Sequence, residues 1–141
     1  ADAPDLRISR LGEIEWMIQR GQPALAEQAL VAMAPIVPSM SPPLQLRYQQ
    51  MQAEAALRAG EAALAATRWR AVLDGNEALF GADAPSVARY RVPLAEALQA
   101  SGERDAARRQ VAQAKPLLEA ELVPGAPYLQ RLHALEERLK G

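Results

Sequence analysis

Apolar side chains recur at helical spacing in seven stretches of this chain of 141 residues. Three stretches, at residues 6–20, 44–59 and 87–101, run from shortly after a proline to just before a glycine, and we call them the first helices. Three others, at residues 24–34, 61–73 and 104–115, follow those glycines, and we call them the second helices. A seventh stretch, at residues 128–140, begins like a further first helix. Because residues three or four positions apart share one face of a helix, the pattern predicts an all-α fold.

A proline is followed seventeen positions later by a glycine in three places: Pro4 and Gly21, Pro43 and Gly60, and Pro85 and Gly102. Pro127 opens a fourth, truncated copy, and the four prolines are 39, 42 and 42 residues apart, a period typical of stacked repeats. Proline suits the first turn of a helix, and glycine with a positive φ suits the position after the last turn. We predict one domain over residues 1–141, with repeats at about 4–42, 43–84 and 85–126 and a terminal helix at 127–141.

The second helices share a second pattern. Five residues after each glycine stands an alanine, and nine residues after it stands a larger apolar residue: Ala26 with Leu30, Ala65 with Trp69, and Ala107 with Val111. We expect these positions to pack closely against neighbouring helices, and we expect Trp16 and Trp69 to lie in the interior. Fourteen residues after each glycine stand Pro35, Asp74 with Gly75, or Pro116, where each second helix is expected to bend or end.

The turn glycine followed by an alanine and a bulky apolar residue resembles the tetratricopeptide repeat. The period of 42 residues is similar to that of the kinesin light chain type of this repeat, and the segments at residues 80–88 and 123–127 resemble its linker before the first helix. This resemblance implies a right-handed superhelical solenoid of three antiparallel helix pairs. It also implies a concave groove, lined by the first helices, that binds peptides or protein partners. The terminal helix is expected to be a cap, with continuation of the array in a longer protein as the alternative.

Composition argues against several classes of protein. Sixteen Lys and Arg against seventeen Asp and Glu give a formal net charge of -1, which provides no basic field for nucleic acid. No apolar run approaches the roughly 20 residues that a membrane span requires, so we expect no membrane insertion. The absence of cysteine excludes a disulfide framework and leaves the compartment undetermined. A start without Met indicates either a mature secreted product or an excised piece of a longer chain.

Catalytic signatures are lacking in the sequence. His133 is the single histidine and has no cysteine or second histidine with which to form a metal site. The few serines and threonines stand in no nucleophile motif, and no glycine-rich phosphate loop occurs. We therefore predict a protein that is not an enzyme, with no cofactor and no metal.

Candidate partner-binding residues emerge when the repeats are aligned on their prolines. Four residues after three of the prolines stand arginines: Arg47, Arg89 and Arg131. Eleven residues after three of the prolines stand glutamates: Glu15, Glu54 and Glu96. Two of the arginines are followed by a tyrosine, Tyr48 or Tyr90. Seven residues are about two helical turns, so the arginine and glutamate columns lie on one face. They are predicted either to bind a carboxylate, a phosphate or a basic segment, or to bridge neighbouring repeats. The tyrosines are either packing residues or part of the binding surface.

These features favour a protein–protein or peptide interaction module that uses the concave groove. The alanine- and arginine-rich composition favours one region of a larger bacterial protein. Two alternatives stay open: an effector-sensing regulatory domain of a kinase or transcription regulator, and a self-assembly module in which a second copy occupies an end or a groove.

Overall fold

The computed structural model describes the backbone of residues 4–140 and the side chains of residues 7–140. Every regular element in this part of the chain is helical, which confirms the all-α prediction. The elements are α1 (Pro4–Gln19), α2 (Pro23–Met33), a 3₁₀ helix (Ala34–Ser39), α3 (Pro42–Arg58), α4 (Ala62–Phe80), α5 (Pro85–Ala100), α6 (Arg104–Glu121) and α7 (Pro127–Leu139). The first helices are thus α1, α3 and α5, and the second helices are α2, α4 and α6. The seventh stretch is α7, which begins like a first helix and is counted as one below.

The glycine turns have the predicted conformation. At the end of α5, the N–H of Gly102 donates to the carbonyl of Gln99 at 3.1 Å, and the N–H of Glu103 donates to the carbonyl of Leu98 at 2.8 Å. This is the Schellman arrangement, which needs a left-handed residue at the glycine position. Gly102 has a φ of 90°, and the same pair of hydrogen bonds closes α1 at Gly21 and α3 at Gly60. One turn design therefore connects the first and second helix of all three repeats.

The second helices end differently from one another. α2 ends at Met33 and a 3₁₀ helix carries the chain past Pro35, as predicted. The other two helices do not end at the expected positions, because α4 continues through Gly75 to Phe80 and α6 continues through Pro116 to Glu121. Compared with alanine, glycine inside a helix lowers the stability of the helix by only about 1 kcal/mol. The residue after Gly75, Asn76, is buried, and its side-chain amide donates to the carbonyl of Val72 at 2.8 Å, which supports the continued helix. In α6, the fully buried Leu118 anchors the turn that follows the proline.

The chain divides into two compact units, and the boundary lies inside α4, between Arg68 and Trp69. In unit 1, α1 packs against α2 and α3, and α2 packs against α3. Its core centres on Leu11, Ile14 and Leu30.

In unit 2, α5 packs against α6 and α7, and α6 packs against α7. The apolar side of α7 is formed by Leu129, Leu132, Leu135 and Leu139, all buried. The alanine and larger apolar positions that follow each turn glycine are buried in both units, as the sequence predicted. The alanines allow the helices to approach and the larger residues fill the remaining space.

The two tryptophans have opposite environments. Trp69 is buried, with 4% of its surface exposed, and its ring stacks on that of Tyr90 with centroids 6.3 Å apart. The predicted interior position of Trp16 is wrong, because 57% of its surface is exposed. The core side of α1 carries Ile14 and Ile18, and at about 100° per residue Trp16 points roughly 200° from each of them.

Candidate functional site

The arginine and glutamate columns meet between the first helices of unit 1. Nη2 of Arg47, on α3, lies 2.7 Å from Oε2 of Glu15, on α1. Both side chains are partly exposed, so water screens this ion pair and it contributes little to stability. It joins the first helices of two successive repeats, which is the bridging arrangement that the sequence left open.

The corresponding contact in unit 2 is closer and less exposed. Arg131, on α7, approaches Glu96, on α5, with two guanidinium nitrogens: Nη2 lies 2.5 Å from Oε1 and Nε lies 3.4 Å from Oε2. Only 15% of the Glu96 side chain is exposed. Nη2 of Arg138, in the place where the earlier repeats carry a glutamate, lies 3.8 Å from Oε2 of Glu96. Two arginines of α7 therefore approach the same carboxylate.

The remaining column residues also make ion pairs. Nη2 of Arg89 lies 2.7 Å from Oε1 of Glu121, at the end of α6. Oε2 of Glu54 lies 3.5 Å from Nη2 of Arg58, one turn further along α3. In α5, the residues from Arg91 to Ala95 are buried, whereas Arg89 and Glu96 are partly accessible. The columns thus lie on the accessible edge of the first helices.

The two tyrosines contact the interior of the protein. Tyr48 is buried and its hydroxyl donates a hydrogen bond to the carbonyl of Leu30, on α2. Burial, and secondarily the charge of Glu27, raise the pKa of the Tyr48 phenol. Tyr90 is half-buried against the ring of Trp69. Of the two interpretations of these tyrosines, their surroundings support packing.

A buried polar cluster in unit 2 was not found from the sequence. Arg91, on α5, is 5% exposed, donates to the side-chain oxygen of Gln110 at 2.8 Å, and lies 3.2 Å from Oε1 of Glu77. Arg91 stands six residues after Pro85. The other copies have Arg10, Gln49 and His133 at that position, so arginine occurs in only two of the four copies and forms no column. The cluster ties α4, α5 and α6 together inside the unit.

A cavity of about 340 Å³ lies in unit 1 between α1 and the α2–3₁₀ segment. Its walls carry Arg7, Arg10 and Glu13 beside the apolar side chains of Met33 and Ile36. Its volume falls within the roughly 300 to 1,000 Å³ of small-molecule sites.

His133 is exposed on α7. Among the described residues, no group of three or more His, Asp or Glu side chains is arranged to hold a metal ion. In the same part of the chain, no helix combines the length and the apolar character needed to cross a membrane.

No protein-family model, curated protein or solved structure matches this chain.

Proposed function

We propose that this chain is an interaction module that binds an acidic segment of a partner protein on the accessible edge of its first helices. The observation that carries the proposal is the guanidinium of Arg138 on α7, which is 49% exposed and lies beside Glu96, the carboxylate that Arg131 also contacts. Arginine suits this role because its planar fork of N–H donors matches a carboxylate.

Arg138 is the more available of the two arginines. Its side chain is 49% exposed, and its distance of 3.8 Å from Glu96 is longer than a hydrogen bond. A ligand carboxylate can therefore bind this guanidinium without first breaking a short hydrogen bond to Glu96.

The proposed architecture is a right-handed array of tetratricopeptide-like helix pairs capped by α7. The identical glycine turns support it, as does the packing within each unit, where α1 contacts α3 and α5 contacts α7. Contacts between successive first helices are what such an array requires.

The experiment is a selection of random peptides displayed on phage against the immobilised protein, followed by fluorescence anisotropy with the selected peptides. We expect peptides rich in Asp and Glu, with affinity that falls as salt concentration rises. Arg131→Ala and Arg138→Ala should each weaken binding by about tenfold, equivalent to about 1.4 kcal/mol. Arg70→Ala, at an exposed arginine of α4, is the matched control and should bind like the wild type. Equal affinity in all four proteins, or selection of no acidic peptides, would contradict the proposal.

The cavity between α1 and α2 favours a second candidate function, the sensing of a small organic anion. Its two arginines outnumber the one carboxylate of Glu13 and suit an anion, and Met33 and Ile36 suit a short apolar tail. Thermal unfolding with straight-chain carboxylates from acetate to octanoate tests this. The melting temperature should rise with chain length in the wild type and should rise less in Arg10→Ala, with Arg58→Ala as the control.

A further inference from the structure

The first helices share a stacking face, formed by the residues five, eight and twelve positions after the proline. In α3 these residues are Tyr48, Met51 and Ala55, and in α7 they are Leu132, Leu135 and Leu139; all six are buried. The preceding second helix contacts this face: the Tyr48 hydroxyl donates to the carbonyl of Leu30 on α2, and Leu139 lies beside Val111 of α6. In α5 the same face carries Tyr90, on which Trp69 of α4 stacks. The repeat itself therefore shows that an α-helix covers this face.

The stacking face of α1 is exposed. It consists of Ser9, Gly12 and Trp16, of which Ser9 and Trp16 are exposed and Gly12 is half-buried. The guanidinium carbon of Arg20 lies 4.5 Å from the centroid of the Trp16 ring, and 57% of the surface of this residue is still exposed. An exposed tryptophan beside a glycine, which allows a second backbone to approach closely, is the geometry of a helix-docking surface.

The charge of Glu13 indicates which kind of helix can cover the stacking face of α1. Glu13 stands nine residues after its proline, and Glu136 holds the same place in α7. Nζ of Lys115, on the covering helix α6, lies 2.8 Å from Oε2 of Glu136. By the same register, a helix on the stacking face of α1 should present a cation opposite Glu13.

A suitable cation, Arg20, directly follows the last residue of α1, and its N–H donates to the carbonyl of Trp16. Arg20 lies seven residues after Glu13, about two turns along the same side of the helix. When two copies of α1 run antiparallel about a two-fold axis between Trp16 and Met17, Glu13 of each copy stands opposite Arg20 of the other. The same axis brings the two Trp16 rings together.

We propose that a second copy of this chain occupies the stacking face of α1 and forms a two-fold dimer. This surface is distinct from the arginine pair on α7. One pair of short helices buries less than the roughly 1,200 Å² of a standard interface, so the dimer is weak and forms at high protein concentration.

Sedimentation velocity from micromolar to millimolar protein tests the proposal. The wild type should shift from monomer to dimer across this range, and Trp16→Ala should raise the dissociation constant at least tenfold. Leu79→Ala, at an exposed leucine of α4, is the control and should dimerise like the wild type. Glu13→Arg and Arg20→Glu should each weaken the dimer, because like charges then face each other. The double variant should restore it, since both pairs are complementary again.

Several outcomes would overturn the dimer. These are a monomer at every concentration, association that is indifferent to Trp16→Ala, or a double charge reversal that is weaker than both single variants. Circular dichroism of each variant verifies that helix content is unchanged. Peptide binding through Arg131 and Arg138 is measured separately, so failure of the dimer leaves that proposal untouched.

Discussion

Arg91, in α5, donates a hydrogen bond of 2.8 Å to the side-chain oxygen of Gln110, in α6. The same guanidinium lies 3.2 Å from the carboxylate of Glu77, in α4. A buried charge is stable only when protein groups supply the hydrogen bonds and the counter-charge that water would otherwise provide. Burial of the Arg91 guanidinium therefore depends on both Gln110 and Glu77.

Replacement of Arg91 should therefore be costly. Arg91→Ala leaves the Gln110 oxygen without its donor and Glu77 without its cation, and we expect a loss of about 2 to 4 kcal/mol in the free energy of unfolding. Arg109→Ala, at an exposed arginine of α6, should change stability by less than about 0.5 kcal/mol. Urea unfolding followed by circular dichroism measures both. Similar midpoints for the two variants would show that the cluster has no structural role.

The turn after α5 provides a second prediction. Gly102 has a φ of 90°, and a Cβ there is strained even though no atom lies within 4 Å of its position. Gly102→Ala should lower the free energy of unfolding by about 1 kcal/mol or more. Gly75→Ala is the matched control in the same unit, because Gly75 lies inside α4 with open space around it. There, alanine should stabilise the protein by about 0.5 to 1 kcal/mol. Thermal unfolding of the pair checks the opposite signs, and a shift of equal sign would contradict this account.

Tyr48 makes stability depend on pH in the alkaline range. Burial raises the pKa of its phenol above the ordinary value of 10.0, so the folded protein holds the proton more tightly than the unfolded chain does. The stability from this difference is fully present below pH 10.0 and is lost as pH rises through the folded-state pKa. Tyr48→Phe should cost about 1 kcal/mol at neutral pH, through the lost hydrogen bond to Leu30, but its stability should fall less steeply above pH 10.0. Urea unfolding of both proteins across this range is the measurement, and parallel curves would contradict the prediction.

The sequence predicted the helix ends best where the backbone conformation requires a particular residue type. Gly102 suits the left-handed turn after α5, and Pro85 suits the first turn of that helix, so both ends of α5 could be predicted from the sequence. The C-terminal ends of α4 and α6 were not, because tertiary packing of residues such as Leu118 outweighs the local cost of Gly75 or Pro116.

The candidate site was predictable only in part. The repeat spacing placed Arg47 and Glu15 in columns on one face, but a spacing does not tell whether an arginine binds its neighbour or a ligand. Trp16 was predicted to be buried because the apolar residues around it have helical spacing. Its side chain, however, points to the side of α1 opposite the core. Arg91 shares its repeat position with one other arginine, Arg10, whereas the remaining copies have Gln49 and His133 there. The sequence therefore showed no arginine column at this position, and the cluster became visible only in the packing of three helices.

The two bridges between first helices should differ in strength, and a double-mutant cycle measures each. Arg47 and Glu15 are partly exposed, so their coupling should be below about 1 kcal/mol and should decline as salt is added. Arg131 and Glu96 meet through two guanidinium nitrogens, and Glu96 is largely shielded from water, so their coupling should be larger, about 1 to 2 kcal/mol, and less sensitive to salt. In each cycle the arginine and the glutamate are changed to alanine singly and together, and urea unfolding gives the three free-energy differences. Because Arg138 also approaches Glu96, the second cycle is repeated in an Arg138→Ala background, where the coupling between Arg131 and Glu96 should persist. A stronger coupling for the exposed pair than for the shielded one would contradict the argument from burial.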